Sequence, residues 1–432
     1  MLRSLRHRNF RLFLTGQMIS LTGTWMQQVA MSWLAYRWTR SPLVLGLFGF
    51  ASQLPAFFLA PVGGVLADRV SRRRLVMATQ VLSMLQAATL AALVLTHHTG
   101  VGGLLALTAF LGLVNGIDIP VRQAFLVEMV NDKSDLPNAI ALNSSAFNAA
   151  RLVGPALGGF VVAAVGEGVA FLLNAVSYIA VIGALLALRL PSAPARPLGA
   201  PAVWSNLREG MRYAFGFPPI RTILLLVFTA SLFGVPFLVL MPVFAADVMH
   251  GGPSTLGLLM GAVGVGALAG ALTLAARRSV VGLGSMITIA IGVFGTGLLL
   301  FSATASVILA LPGLFAAGFG MMALMASSNT ILQTIVEDDK RGRVLSFYAM
   351  SFMGAVPVGS LLAGALAARI GAPATVRIGA CVCLLSGLLY ARVLPSMRAH
   401  VRPLYMRLGL LPDAAAVVED VPLAREEDAA AR

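Results

Sequence analysis

The side chains that could do chemistry in this chain are a few charged groups set in apolar sequence. Asp118 lies about one turn from the end of one apolar stretch, and Arg122 follows four positions later on the same face of a helix. A carboxylate in such surroundings is costly and usually functional. Asp118 is therefore interpreted either as a proton carrier or as one partner of a local ion pair with Arg122.

A basic side chain stands alone in a second apolar stretch. Arg151 is the only Lys or Arg well within such a segment. It could neutralise Asp118 from a neighbouring helix, or it could face a cavity as the counter-ion of an anionic substrate. The residues alone leave both interpretations open.

One short loop concentrates charge of both signs. It reads Asp68-Arg69-Val70-Ser71-Arg72-Arg73-Arg74. Asp68 ends a predicted helix, where the helix dipole already places partial negative charge, so neighbouring arginines must compensate it. From the residues alone, the loop is interpreted as a solvated topology signal.

The first apolar stretch is unusually polar for its position. Its polar and aromatic residues are Gln17, Ser20, Thr22, Thr24, Trp25, Gln27, Gln28, Ser32 and Trp33. Such side chains avoid lipid and face protein or a wet cavity. They are interpreted as a substrate-binding wall or as interhelical contacts, and the amides Asn115, Asn143, Asn148 and Asn329 are interpreted in the same two ways.

Enzyme and metal chemistry is not expected. Cys381 and Cys383 are two residues apart, so on a helix they face different sides. The histidines fall in predicted loops or tails, at His7, His97, His98, His250 and His400. We find no nucleophile–base pair, metal-ligand cluster or phosphate-binding loop in the sequence. We therefore expect no cofactor and no metal.

The composition predicts a membrane protein. Of the 432 residues, 58% are hydrophobic and only 11% are charged, against about 25% charged in soluble domains. Apolar runs of about 20 residues, each long enough to cross a bilayer as a helix, recur along the chain. The net charge is +14, and the basic residues that cause it lie in short loops between the apolar runs. We therefore expect a lipid bilayer and not nucleic acid as the partner.

Twelve helical spans are predicted, at 11–36, 43–67, 75–96, 101–121, 138–165, 168–189, 220–246, 254–276, 284–303, 307–335, 343–368 and 374–394. With both termini in the cytoplasm, all but five of the 31 Lys and Arg residues lie on the cytoplasmic side or in the tails. The positive-inside rule therefore predicts this orientation. The expected location is a bacterial inner membrane.

The spans divide six and six. Residues 1–190 form a predicted N-terminal bundle and 220–395 a C-terminal bundle, joined by a cytoplasmic linker at 191–219. The linker is Pro-rich at first and then amphipathic. Residues 396–432 are predicted to be a cytoplasmic tail, largely disordered. The sequence thus predicts an all-α membrane protein of two six-helix bundles.

An internal repeat supports two related halves. A shift of 205 positions aligns Gly154 with Gly359, Gly159 with Gly364, and Gly166 with Gly371. Two six-helix repeats predict a substrate site between them near the midplane, reached by rocking one half against the other.

Several motifs resemble the major facilitator superfamily. The run Gly64-Val65-Leu66-Ala67-Asp68-Arg69-Val70-Ser71-Arg72-Arg73-Arg74 is similar to the signature between its spans 2 and 3, with Ser71 in place of the usual glycine. Residues 118–125, 138–145 and 148–159, with Arg341-Gly342-Arg343-Val344, resemble its enterobactin-exporter-like branch. Gly154, Pro155, Gly158 and Gly159 resemble the motif that marks antiporters in span 5.

This resemblance implies the fold and a function. It implies proton-driven export of small molecules, siderophores or drugs, by a chain expected to act as a monomer. It also implies a latch at Gly64, Asp68, Arg69 and Arg72, in which Asp68 bonds to span 11 near Arg343 and closes the cytoplasmic side.

The distribution of acidic residues limits proton coupling, and other functions of the same fold remain alternatives. No acidic residue lies between Asp247 and Glu337, or in spans 11 and 12, so proton coupling must use Asp118 or Asp68. A passive facilitator would also lack carboxylates. Uptake or lipid flipping on the same fold is an alternative function, and a membrane receptor or scaffold is a more remote one.

Overall fold

The computed structural model describes residues 3–130, 132–189, 211–277 and 279–407. All regular structure in these ranges is helical. The long helices are α1 (Arg8–Thr39), α2 (Pro42–Arg69), α3 (Arg72–Leu95), α4 (Val101–Leu126), α5 (136–165), α6 (167–187), α7 (Pro218–Val248), α8 (Pro253–Ala275), α9 (Leu283–Ser302), α10 (Val307–Ile335), α11 (Asp338–Met353 and Ala355–Ile370) and α12 (Ala372–Arg407).

The predicted membrane helices are present in the described ranges. Ten segments are long and apolar enough to cross a membrane, and one of them, Leu136–Ala187, contains both α5 and α6. The remaining long helix is α1, whose many polar residues lower its hydropathy. These helices give the expected twelve, with both described chain ends on one side of the bundle. We call that side the inner end and the opposite side the outer end, following the predicted orientation.

Two glycines make the sharp outer turns of the repeat. Gly166, between α5 and α6, has φ 84° and ψ 170°, and Gly371, between α11 and α12, has φ 84° and ψ 155°. A side chain disfavours positive φ, so glycine suits both turns. The two residues are 205 positions apart, as the repeat predicts.

The first helix of the second half is irregular. After its α-helical start, Pro218–Thr229, α7 continues through π and 3-10 turns to Val248. Pro236 and Pro242 lie in this part, and proline cannot donate a backbone hydrogen bond within a helix. Helix α11 is interrupted near Gly354. Both irregular helices belong to the second half and contact the first.

The halves meet in two related glycine crossings. A Cβ on Gly159 of α5 would lie 2.5 Å from the carbonyl oxygen of Pro253 in α8, and a Cβ on Gly364 of α11 would lie 2.6 Å from that of Pro42 in α2. Small residues let helix backbones approach this closely. The predicted repeat therefore appears as a pseudo-twofold contact between the halves.

Parts of the predicted domain organisation lie beyond what the structure describes. Residues 190–210, most of the predicted linker, fall outside the described residues, while 211–216 are helical. Helix α12 continues to Arg407, past the predicted span end at 394. The rest of the predicted tail falls outside the described residues, and the domain boundaries stay a prediction.

Candidate substrate cavity and gates

The outer end is held closed by side chains from both halves. Tyr36 of α1 donates a hydrogen bond to Asp247 at the end of α7, and Nη1 of Arg40 lies 2.9 Å from the Oδ1 atom of Asp247. We call Tyr36, Arg40 and Asp247 the outer clamp. Because α1 and α7 belong to different halves, these contacts must break before the outer end can open.

The outer clamp was not predicted from the sequence. A signal was present, because Tyr36 and Arg40 end span 1 while Asp247 ends span 7, and spans 1 and 7 are equivalent in the repeat. In the sequence, Asp247 stands out only as the edge of a region without acidic residues.

A second outer ion pair lies within the first half. Nη2 of Arg37 is 3.1 Å from Oε2 of Glu167, which is buried at the start of α6. The other carboxylate oxygen of Glu167, Oε1, is buried and has no hydrogen-bond partner among the described residues. Arg37 also lines an outer cavity of about 230 Å³, together with Trp33, Tyr36, Arg40, Ala246, His250 and Gly251.

Contacts between the halves weaken toward the inner end. Between α2 and α11 they run from Pro42 and Gly364 at the outer end to Phe57 and Gly354 near the middle. Nearer the inner end, a Cβ on Gly64 would have no neighbour within 4 Å among the described residues. Among the described residues, the close glycine contacts between these two helices thus lie at the outer end and near the middle.

The charged inner loop makes its contacts within the first half. Nη2 of Arg72 lies 3.6 Å from Oδ1 of Asp68, and Nη1 of Arg72 lies 3.0 Å from Oε1 of Glu128. Arg69 is exposed. Among the ion pairs of the described residues, none joins Asp68 to Arg343. The latch stays a prediction, for a state in which the inner end is closed.

Asp118 lies in a complete polar network. Its Oδ1 atom accepts hydrogen bonds from Thr79 at 2.6 Å and from Gln80 at 2.8 Å, and its Oδ2 atom lies 2.9 Å from Nη2 of Arg122. Thr79 and Gln80 are on α3, facing Asp118 on α4. Three donors compensate a buried carboxylate locally, so the geometry favours the ion-pair interpretation in this state. Neither of the two α3 donors was predicted from the sequence.

Arg151 is separate from that network. Its guanidinium carbon lies 5.7 Å from the centre of the Trp25 ring on α1. Phe147, one turn away on α5, packs edge-on against the same indole with ring centres 6.0 Å apart. Because Asp118 is bonded to Arg122, the structure does not support Arg151 as its neutralising partner.

Several polar residues of α1 serve as contacts between helices. Gln27 bonds to Gln86 at 3.1 Å and accepts from Asn174 at 2.7 Å, and Thr24 lies 3.2 Å from the Tyr178 hydroxyl. These bonds join α1 to α3 and α6 within the first half, so Gln27 and Thr24 fit the interhelical interpretation.

The remaining predicted cavity residues differ in exposure. Gln17 is buried, and its Oε1 atom has no partner among the described residues. Gln28 is exposed and Asn115 is half-buried. Asn148 is half-buried and donates to the Ser144 carbonyl at 2.9 Å. The structure therefore brings Trp25 and Arg151 together, but does not assemble all the predicted cavity residues into one site.

The span-5 motif forms helix crossings. A Cβ on Gly154 would lie 2.5 Å from Cβ of Trp25 on α1, and one on Gly158 would lie 3.0 Å from Cα of Met26. Gly159 faces α8, and Pro155 lies inside the helix with its carbonyl oxygen 3.1 Å from a Cβ built on Gly257. The motif thus packs α5 against its own half and against the other.

Comparison with known proteins points to membrane transport. The model of a family described as "Transmembrane secretion effector" matches residues 1–407. The chain is 27% identical over 394 residues to the multidrug efflux pump Tap of Mycolicibacterium fortuitum, covering 90% of this chain and 96% of that protein. It is 25% identical over 356 residues to the staphyloferrin A transporter of Staphylococcus aureus, covering 81% and 87%.

Solved structures share the fold. A mutant of the peptide transporter POT superposes with a TM-score of 0.70 at 14% identity, covering 90% of this chain and 94% of that one. The nucleoside transporter NupG gives a TM-score of 0.66 at 14% identity, covering 89% and 98%. At this identity the likeness extends to the fold alone.

Proposed function

Because the chain belongs to the transmembrane secretion effector family of major facilitator transporters, we propose that it exports small amphipathic molecules from the cytoplasm in exchange for protons. It would do so by alternating access, with cargo binding between the two halves. We also propose that it acts as a monomer in a bacterial inner membrane with both termini in the cytoplasm. The efflux pumps among its relatives support the outward direction.

The observation that carries the proposal is the asymmetry between the two ends. The outer clamp and the two glycine crossings join the halves at the outer end. At the inner end, among the described residues, Asp68 pairs with Arg72 of its own half, and a Cβ on Gly64 would have no neighbour within 4 Å. A transporter in this state takes up cargo from the inner side. Export then requires the clamp to break and the inner end to close.

An amphipathic cargo suits the side chains that meet where α1 packs against α5. Trp25 and Phe147 supply aromatic surface, and Phe147 is 40% exposed. Arg151 adds a polar group beside them. Mostly apolar walls with a few placed polar groups are typical of sites for small molecules.

Asp118 is proposed as the proton carrier. It is the only Asp or Glu in the middle of a described membrane helix. Its contacts with Thr79, Gln80 and Arg122 would have to rearrange for a proton to bind. If the network instead stays fixed, Asp118 has a structural role and transport is passive or coupled elsewhere.

Transport in proteoliposomes tests this proposal. Wild type and Asp118→Asn are compared with and without an imposed pH gradient, using a panel of fluorescent amphipathic dyes. Asp132→Asn is the control, because that carboxylate lies in an exposed loop. Flux that ignores the gradient in wild type would contradict antiport, and unchanged coupling in Asp118→Asn would exclude Asp118 as the carrier. Dye accumulation in inverted vesicles tests the direction.

A further inference from the structure

Arg151 is a cation without a protein counter-ion. None of the ion pairs or hydrogen bonds of the described residues includes it, and its polar contact is with the face of Trp25. A buried carboxylate of the first half's helices, Asp118, is bonded to Arg122. A cation–π contact alone replaces only part of the hydration that an arginine loses inside a membrane.

Rocking of the halves cannot supply the missing anion. The sequence contains no Asp or Glu between Asp247 and Glu337, or between Asp339 and Asp413. Helices α8, α9, α10 and α12 therefore have no carboxylate at any depth, and α11 has none beyond its first two residues. Whatever position the second half takes, the middle of its helices cannot neutralise Arg151.

Arg151 lies next to a contact between the halves, because a Cβ on Gly264 of α8 would lie 3.0 Å from Cα of Leu152 on α5. Arg151 and Trp25 belong to α5 and α1, the helices of the first half that also contact α8 of the second. Arg151 is half-buried, and its nitrogens are not among the sealed, unpartnered atoms of the described residues. Its guanidinium is thus within reach of a molecule that binds between the halves.

We propose that Arg151, with Trp25 and Phe147, forms the subsite for an anionic group of the cargo. This inference rests on the proposed transport function and narrows its substrate class to small organic anions with an aromatic or other apolar portion. The guanidinium binds the anionic group, and the two aromatic side chains contact the apolar part. Arg151 then acts as a specificity residue, since neutral amphipathic molecules leave it unpaired.

An anionic cargo also has an energetic consequence. Moving a net negative charge outward is favoured by the inside-negative membrane potential, and inward movement of a proton adds to the same direction of current. Exchange of one organic anion for one proton is therefore electrogenic. Export in that mode draws on the membrane potential as well as on the pH gradient.

Binding of two matched probes tests the subsite. The full-length protein in detergent is titrated with 8-anilinonaphthalene-1-sulfonate, which is anionic, and N-phenyl-1-naphthylamine, which has the same aromatic skeleton without charge. We expect Arg151→Gln to weaken binding of the anionic probe about tenfold and to leave binding of the neutral probe unchanged. Arg151→Lys keeps the charge and should retain most of the preference.

Controls separate the subsite from general effects. Arg392→Gln removes an exposed charge on α12 and should bind both probes as wild type does, and size-exclusion profiles check that each variant is folded. Equal loss of both probes in Arg151→Gln, or no loss of the anionic one, would overturn the proposal. Probe binding to the protein in detergent depends neither on a pH gradient nor on the direction of transport. A failure of proton antiport in proteoliposomes would therefore not contradict this binding result.

Discussion

Tyr36 and Asp247 form a hydrogen bond across the boundary between the two halves, at the outer end of the molecule. Arg40 adds an ion pair to the same carboxylate, with 2.9 Å between Nη1 and Oδ1. Nothing at the inner end of the described residues matches this contact, because Asp68 pairs with Arg72 in its own loop. The clamp therefore gives the outer end a specific barrier to opening.

Removing the Asp247 charge should favour opening of the outer end. Asp247→Asn weakens the hydrogen bond that Tyr36 donates to the Asp247 carboxylate. Hydrogen bonds to a charged group contribute about 1.5–3 kcal/mol, so the equilibrium between closed and open states should shift about tenfold or more. We expect faster labelling of Ala246→Cys, which lines the outer cavity, by a membrane-impermeant maleimide. The background carries Cys381→Ala and Cys383→Ala, since these are the only two cysteines.

Glu167→Gln is the matched control for the clamp. Glu167 pairs with Arg37 at 3.1 Å, but both residues belong to the first half. Loss of this pair should leave the labelling rate of Ala246→Cys near its wild-type value. If Glu167→Gln and Asp247→Asn accelerate labelling equally, the clamp has no special role in holding the halves together.

The glycine crossings should not tolerate large side chains. Gly159→Leu or Gly364→Leu places atoms against the backbone of Pro253 or Pro42, where a Cβ would already lie 2.5 or 2.6 Å away. Overpacking of this kind costs about 1–3 kcal/mol, so we expect transport of a fluorescent dye to fall about tenfold. Outer labelling of Ala246→Cys should rise as the halves separate.

Gly183→Leu provides a comparison for that prediction. A Cβ on Gly183 would have no neighbour within 4 Å among the described residues, so transport should stay close to wild type. If all three variants lose activity to the same extent, the loss reflects a general intolerance of leucine in these helices. The crossings would then not be the cause.

The donors around Asp118 should contribute to stability. Thr79→Val and Gln80→Leu each remove a hydrogen bond to the buried carboxylate, at 2.6 and 2.8 Å. Leaving a buried acceptor without a partner costs about 1–3 kcal/mol, so each variant should have a lower Tm in detergent. Thr96→Val is the control, because Thr96 is exposed and donates only to its own helix. A Tm unchanged in both α3 variants would show that the network is not needed for stability.

The sequence was most informative where structure follows from local pattern. Apolar length predicts the membrane helices, and the repeat predicts that Gly166 and Gly371 take equivalent positions, which their similar φ and ψ values confirm. Both features are encoded in short stretches of chain. The polar first span is confirmed as α1, the long helix that is less apolar than the rest.

Contacts between distant helices were harder to predict. No sequence pattern links Thr79 and Gln80 to Asp118, because these hydrogen bonds depend on the orientation of α3 about its axis relative to α4. The Tyr36–Asp247 bond joins residues 211 positions apart and depends on the state of the molecule. The choice between the two roles of Arg151 likewise required knowing that Arg122 already bonds to Asp118.

The predicted inner latch should operate only in a state other than this one. In this structure Asp68 makes a partly exposed pair with Arg72, four residues away, and such pairs contribute only about 0.3–0.5 kcal/mol. Asp68→Asn should therefore leave the Tm nearly unchanged but lower the transport rate, because the inner end closes less readily.

A double-mutant cycle with Arg343→Gln measures the coupling between the two side chains. If they are in direct contact, the double variant should lose no more transport activity than the worse of the two single variants. The same cycle with the exposed Arg392→Gln of α12 in place of Arg343→Gln should give independent effects. Losses that multiply in the Asp68–Arg343 cycle would show that these two side chains never meet during transport.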